Sequence, residues 1–110
     1  MGTEYIQELS QSILNLRDRL AKDRRRLARQ IHEERVIRSQ VDQIQEELRK
    51  ADGSGSQGAL LERLGSLDVA HRDRAERVEI SKQELRRLND QIEDTKKRRN
   101  RHLASLKKRP

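Results

Sequence analysis

The chain has 110 residues and a formal net charge of +7, and 41% of its residues are charged against 31% that are hydrophobic. So few large apolar side chains cannot close a compact globular core against the loss of chain entropy, which excludes an ordinary globular domain. High charge with low hydrophobicity is also typical of disorder, but the regular spacing of the apolar residues predicts a coiled coil.

The absence of cysteine excludes a disulfide framework and a thiolate metal site, and it fits a reducing compartment. The first residues lack the basic lead and the apolar run of a signal peptide. No window approaches the roughly 18 apolar residues that a membrane span needs. We therefore expect an intracellular protein, cytoplasmic or nuclear, with no membrane span.

Helix 1 is predicted over residues 1–51, where apolar side chains follow a heptad repeat with Ile6 at position a. Positions a and d of such a repeat form the seam between two helices of a coiled coil. The apolar seam residues of this helix are Ile6, Leu9, Ile13, Leu16, Leu20, Leu27, Ile37, Val41, Ile44 and Leu48. Asp23, Gln30 and Glu34 are the polar residues that interrupt the pattern.

A Gly/Ser-rich turn is predicted over residues 52–58, which read Asp-Gly-Ser-Gly-Ser-Gln-Gly. Two interpretations of this segment stay open. It is typical of a laboratory linker that joins two arms distant in a parent chain, and it is equally what a tight natural turn between two helices requires.

Helix 2 is predicted over residues 59–110, with Leu64 at position a and a less regular seam. Its apolar seam residues are Leu60, Leu64, Leu67, Val78, Leu85, Leu88 and Ile92. Pairs of opposite charge four residues apart, with the acid first, favour helix in both segments. These pairs are Asp18–Lys22, Glu46–Lys50, Asp73–Arg77, Glu93–Lys97 and Asp94–Arg98.

Two such helices joined by a short turn predict an all-α fold, a long antiparallel coiled-coil hairpin. Folding about Ser54 aligns the apolar residues of the two seams, namely Leu48 with Leu60, Ile44 with Leu64, Val41 with Leu67, Leu20 with Leu88 and Leu16 with Ile92. The same alignment sets Glu34 opposite Arg74, so that the two charges neutralise each other inside the seam. Apolar residues outside the seam leave open a dimer of hairpins in a four-helix arrangement.

Positive charge concentrates in the last residues of helix 2, which we call the basic end. It consists of Lys96, Lys97, Arg98, Arg99, Arg101, Lys107, Lys108 and Arg109, and no acidic residue lies between Thr95 and Pro110. The eight positive charges of the basic end are one more than the net charge of +7 of the whole chain, so residues 1–94 together are close to neutral. Two interpretations remain: a weak contact with nucleic acid, an acidic polymer or an anionic membrane, or a solvated helix face.

No residue pattern predicts catalysis, a metal site or a cofactor site. The residues four before and four after His32 are Ala28 and Val36, so the spacing of a helical metal-ligand pair is absent. His71 and His102 fall on seam positions, where polar residues are tolerated. The glycines of the turn follow no strand and precede no Lys-Ser or Lys-Thr pair, so they do not form a phosphate-binding loop. We expect a protein that is not an enzyme.

Two long helices that run out and back resemble the paired arms of structural-maintenance-of-chromosomes proteins and the dynein stalk. A second resemblance concerns the stretch from Leu27 to Ile37, which is similar to the first helix of the coiled-coil finger in Rho-GTPase effectors. Gln40-Val41-Asp42 stands where that family has a glycine-alanine-glutamate step. The first resemblance implies a structural arm and the second implies a small-GTPase partner.

The sequence therefore favours a structural arm or scaffold segment of a large coiled-coil protein, of chromosome-maintenance, cytoskeletal or motor type. Its partners would be other proteins or a second copy of the chain. The alternatives are a binding module that uses the basic end and a Rho-type effector finger.

Overall fold

The computed structural model describes residues 2–51, 55 and 57–108. Two α-helices account for nearly all of them: α1 spans Gly2–Lys50 and α2 spans Gln57–Lys107. Among these residues there is no β-strand. The predicted all-α fold, a hairpin of two long helices, is confirmed. Most of the predicted turn, including its centre at Ser54, lies outside the described residues.

The second helix begins at Gln57, two residues before the predicted start. The side-chain amide of Gln57 donates a hydrogen bond to the carbonyl oxygen of Ala51 at 2.9 Å. That carbonyl follows the last turn of α1, where backbone acceptors lack partners within the helix. The sequence predicts Gly58 in the turn, but it lies in the first turn of α2. The first N–H groups of a helix have no acceptor within the helix, so Gly58 leaves no intrahelical hydrogen bond unmade there.

The residues fall into two compact units, and each helix contributes to both. The described part of the first unit comprises residues 2–26 and 81–108. The second unit lies within residues 27–80. In the first unit, Gly2 contacts His102 and Arg26 contacts Glu84. In the second unit, Glu34 contacts His71 and Ala51 contacts Gln57. Rising numbers on α1 meet falling numbers on α2, so the helices are antiparallel within each unit.

An apolar cluster at the seam holds the first unit together. Ile13, Leu20, Leu88 and Ile92 are buried, with 2% to 7% of their surface exposed, and Leu16 and Leu85 pack against them. The register aligns Leu20 with Leu88 and Leu16 with Ile92 in this unit, and these four residues belong to the cluster or pack against it. Burial of an aliphatic side chain of this size contributes about 1.5–3 kcal/mol, so each of these residues stabilises the unit substantially.

The seam of the second unit is less completely closed. Ile44 and Val78 are buried there, with 3% and 8% of their surface exposed. The other apolar seam residues of the unit are half-buried, which applies to Leu27, Ile37, Val41, Leu48, Leu60, Leu64 and Leu67. None of the predicted apolar seam residues in either unit is exposed. The packing therefore follows the a and d positions of both helices.

Polar residues on the seam of α2 keep their hydrogen bonds. The Thr95 hydroxyl donates to the carbonyl oxygen of Gln91 at 2.7 Å, one turn earlier in the same helix. Ser81 is only 6% exposed. No buried side-chain nitrogen or oxygen in the described part of the chain lacks a hydrogen-bond partner. Polar residues at the seam therefore avoid the energetic cost of a buried polar atom without a hydrogen bond.

Candidate functional site

The basic end lies on the last turns of α2, in the first unit. Lys97, Arg98, Arg101, Lys107 and Lys108 are exposed. Arg99, at seam position a, is half-buried. Lys96 is also half-buried and pairs with Glu93 at 3.3 Å. Arg109 lies outside the described residues.

The charges of the basic end are mostly uncompensated. Of the charge pairs expected there, neither Glu93–Lys97 nor Asp94–Arg98 forms within the described residues, and Glu93 binds Lys96 instead. The three such pairs elsewhere do form, at 3.1 Å for Asp18–Lys22, 3.9 Å for Glu46–Lys50 and 3.1 Å for Asp73–Arg77. The basic end thus presents cations that no described acidic side chain neutralises.

A contact between the start of α1 and the end of α2 positions the basic end. The rings of Tyr5 and His102 meet edge to face with centroids 4.9 Å apart and an interplanar angle of 79°. His102 Nε2 lies 3.2 Å from the carbonyl oxygen of Gly2, a distance suited to a hydrogen bond. Leu106 packs so closely on Gly2 that a Cβ atom there would lie 2.6 Å from the Leu106 Cδ2 atom. These contacts anchor the helix that carries the cations.

Two adjoining grooves run beside the seam of the first unit, and both are lined by residues of α1 and α2. One has a volume of about 430 Å³ and is lined by Ser12, Asn15, Leu16, Gln91, Asp94, Thr95 and Arg98. The other has a volume of about 440 Å³ and is lined by Arg19, Asp23, Arg26, Glu84, Arg87, Leu88 and Gln91. Because Gln91 lines both, we treat them as one feature and call it the arginine groove.

Only one of the four arginines in the groove is neutralised. Arg26 pairs with Glu84 across the helices at 3.1 Å and with Asp23 of its own helix at 3.6 Å. Arg19, Arg87 and Arg98 form no ion pair with any described residue, and all three are exposed. The groove therefore offers three free guanidinium groups beside the hydroxyl and amide groups of its other residues. Such donors suit an anionic ligand.

The arginine groove was not predicted from the sequence, because the heptad analysis concerned the seam positions a and d. Arg19, Arg26 and Arg98 lie at position g, which flanks the seam, and Arg87 lies at the adjacent position c. In an antiparallel pair, the g positions of one helix face those of the other. A count of charges on these flanking positions was the signal in the sequence that would have found the groove.

A polar layer made by Glu33, Glu34, His71 and Arg74 crosses the second unit, and it corrects the predicted Glu34–Arg74 pair. Glu34 Oε1 lies 2.8 Å from Nε2 of His71, whereas Nη1 of Arg74 donates to Oε2 of Glu33 at 2.6 Å. The side chains of Glu34 and His71 are 19% and 32% exposed, and those of Glu33 and Arg74 are 50% and 36% exposed. Arg74 reaches Glu33, the more exposed of the two glutamates, and His71, at its predicted seam position, lies beside Glu34.

The three histidines have different surroundings. His32 is exposed, His71 contacts Glu34, and His102 contacts Gly2 and Tyr5. Within the described ranges, no three His, Cys, Asp or Glu side chains are close enough together to hold a metal ion. No histidine lines either part of the arginine groove, so Ser12 and Thr95 have no imidazole base beside them there.

Comparison with protein-family models, with curated proteins and with solved structures yields no match to this chain. Neither helix, over the residues that the structure describes, contains a stretch that is both long enough and apolar enough to cross a membrane.

Proposed function

We propose that this chain is a structural coiled-coil arm or scaffold segment, which holds protein–protein contacts and catalyses no reaction. The observation that carries the proposal is the burial along the seam. In both units every described a and d position is buried or half-buried, whether its residue is apolar or polar. Because each helix covers the seam face of the other, we expect the pair to be stiff. Stiffness without a partner is the property that an arm requires.

The proposed setting is a large intracellular coiled-coil protein of chromosome-maintenance, cytoskeletal or motor type. The chain has no cysteine, and proteins of reducing compartments do without disulfides. Many exposed charges surround a narrow seam, so other proteins can contact the outer faces of the helices without disturbing their packing.

A stiff arm must be helical when it is alone and dilute, and this is the test of the proposal. We expect a strongly helical circular dichroism spectrum at low micromolar concentration, a cooperative melt, and slow cleavage by trypsin despite 26 lysines and arginines. The L20A/L88A variant should lose both helicity and resistance to trypsin, since Leu20 and Leu88 are buried. The matched variant L14A/L103A truncates exposed leucines and should keep them. A spectrum dominated by coil in dilute buffer would rule the proposal out.

A second candidate function is contact with a polyanion through the basic end. The specific observation in its favour is that Lys97, Arg98, Arg101, Lys107 and Lys108 are exposed and make no ion pair with any described residue. Free surface cations of this kind bind polyanions with an affinity that falls as salt rises. The K97Q/R101Q variant should therefore bind heparin–agarose less tightly and elute at lower salt. Elution at the same salt as the unchanged protein would contradict this second function.

A further inference from the structure

The geometry points to the arginine groove as a binding site for the phosphate backbone of a nucleic-acid duplex. This inference rests on the second proposed function and extends it, because it places the contact on one particular face of the first unit. It also adds Arg19 of α1 and Arg87 of α2, which lie outside the basic end.

The first argument is that the groove and part of the basic end share one face of α2. Arg87, Gln91, Asp94, Arg98, Arg101 and Lys108 all occupy the c and g positions of the heptad, and all are exposed. From Arg87 to Arg101, steps of three or four residues keep them on a single stripe of α2, and Lys108 follows seven residues later, one residue past the end of the helix. The stripe from Arg87 to Lys108 covers about 30 Å at ~1.5 Å per residue, which is close to one turn of B-form DNA, about 34 Å.

The second argument concerns which cations on this face are free. Arg26 already has two carboxylate partners, Asp23 and Glu84. Arg19 and Arg87 line the same part of the groove from opposite helices and have no described ionic partner. Each of these two guanidinium groups can donate two parallel hydrogen bonds to a phosphate, so that the two helices together contact two phosphates of a duplex backbone.

The third argument is that the remaining donors suit a backbone contact without base recognition. Ser12, Asn15 and Gln91 line the groove and can donate to phosphate and sugar oxygens, whereas the Thr95 hydroxyl already donates to the carbonyl oxygen of Gln91. The lining of the groove contains no aromatic side chain on which a base of a single strand could stack. The ligand that fits these groups is therefore a duplex, read through its backbone and not through its sequence.

The chemistry also disfavours a membrane surface. A membrane-surface helix needs exposed apolar side chains on the bound face, but the apolar residues of the groove, Leu16 and Leu88, are half-buried and buried at the seam. An acidic protein is the remaining alternative, because arginine pairs with carboxylates as well as with phosphates. Competition between the duplex and polyglutamate separates these two ligands.

The experiment measures binding of a fluorescent duplex of about 30 base pairs, roughly three turns, by anisotropy between about 50 and 200 mM salt. The R19Q/R87Q variant removes the two groove arginines. Its matched control, R24Q/R86Q, removes two exposed arginines from the other side of the same two helices, Arg24 at position e and Arg86 at position b. Glutamine is a good helix former, so circular dichroism should show both variants folded.

We expect R19Q/R87Q to bind more weakly, with a slope of log affinity against log salt that is less negative by about 2, since each lost phosphate contact changes it by about 0.9. The control should keep the original slope. A single strand of the same length should bind more weakly than the duplex, and polyglutamate should not displace the duplex at equal charge.

Four outcomes would overturn the inference. Equal loss in R19Q/R87Q and R24Q/R86Q would show that net charge and not the groove governs binding. Binding to vesicles with anionic lipid but not to the duplex would assign a membrane, and efficient displacement by polyglutamate would assign an acidic protein. Weaker duplex binding in K97Q/R101Q with no change in R19Q/R87Q would refute the groove while the second proposed function stands. No binding to any polyanion would refute both.

Discussion

Adjacent residues of α1 experience opposite environments, as Ile13 and Leu14 show. Ile13 is 2% exposed and belongs to the seam cluster, whereas Leu14 is 56% exposed. Because a helix turns by about 100° per residue, one step along the chain moves a side chain from the seam to its outer surface. The two positions are therefore a matched pair for measuring what the seam contributes.

We predict that I13A lowers the free energy of unfolding by about 2–5 kcal/mol, because it removes buried methyl groups and leaves a cavity among Leu20, Leu88 and Ile92. L14A should change it by less than about 0.5 kcal/mol, since little surface is buried there. Urea unfolding followed by circular dichroism measures both values. Equal effects of the two substitutions would contradict the assignment of the seam.

The polar layer of the second unit makes a sharper prediction about individual partners. Double-mutant cycles with E33Q, E34Q, H71Q and R74Q should give a coupling energy of about 0.2–1 kcal/mol for Glu33–Arg74 and for Glu34–His71. The cycle for Glu34–Arg74 should give a value near zero, because the structure joins each residue to another partner. If the Glu34–Arg74 cycle gave the largest coupling energy of the three, the two residues would be partners in solution, as the sequence predicts.

The two helices depend on packing and on local preference together. Each is far longer than the ~12–15 residues at which an isolated helix is marginal, and both are rich in strong helix formers. Gly65 is an exception within α2: it is exposed, and a Cβ atom built there meets nothing within 4 Å. The residue weakens the helix without any packing benefit among its described neighbours.

We predict that G65A raises the free energy of unfolding by about 0.5–1 kcal/mol, because alanine loses less backbone entropy on entering a helix and finds open space here. G58A is the control, since Gly58 is equally open but lies in the first turn of α2. Its gain should be smaller, because the first turn frays and contributes fewer intrahelical bonds. Thermal melts of both variants supply the comparison. Destabilisation by G65A would mean that another molecule covers that position.

The fold as a whole is an all-α hairpin whose seam one chain completes from its own two helices. The exposed large apolar side chains, Tyr5, Leu14, Val36, Leu61, Val69, Ile80 and Leu103, are spread over heptad positions b, c, e, f and g. They do not form a second stripe of the kind that joins helices into a bundle. The described residues therefore give no strong apolar face for self-association.

We predict that the chain is a monomer of 13.0 kDa in solution, measured by light scattering. Its melting temperature should not depend on protein concentration, because folding does not include association. A mass of two chains, together with a melting temperature that rises with concentration, would support the four-helix alternative. In that case alanine at Leu61 and Val69, the most exposed of these side chains, should restore the monomer.

Much of this molecule follows from the order of residues alone. The heptad spacing predicts two helices and names their seam, because a helix places every third or fourth residue on one face and buries that face if it is apolar. The turn composition predicts where the chain reverses. The concentration of positive charge is likewise visible as a run without acids between Thr95 and Pro110.

The partners of long polar side chains follow from packing and not from spacing. Arg74 has a long, flexible side chain, and a heptad register does not choose between Glu33 and Glu34 as its partner. The three-dimensional arrangement pairs it with Glu33, gives His71 to Glu34, and leaves Arg19 and Arg87 free beside a neutralised Arg26. Whether an apolar side chain is buried depends on the helix face that it occupies, and the heptad spacing gives that face directly. Ion pairing depends on competition among neighbours at distances of 3–4 Å, which arises only when the two helices pack together.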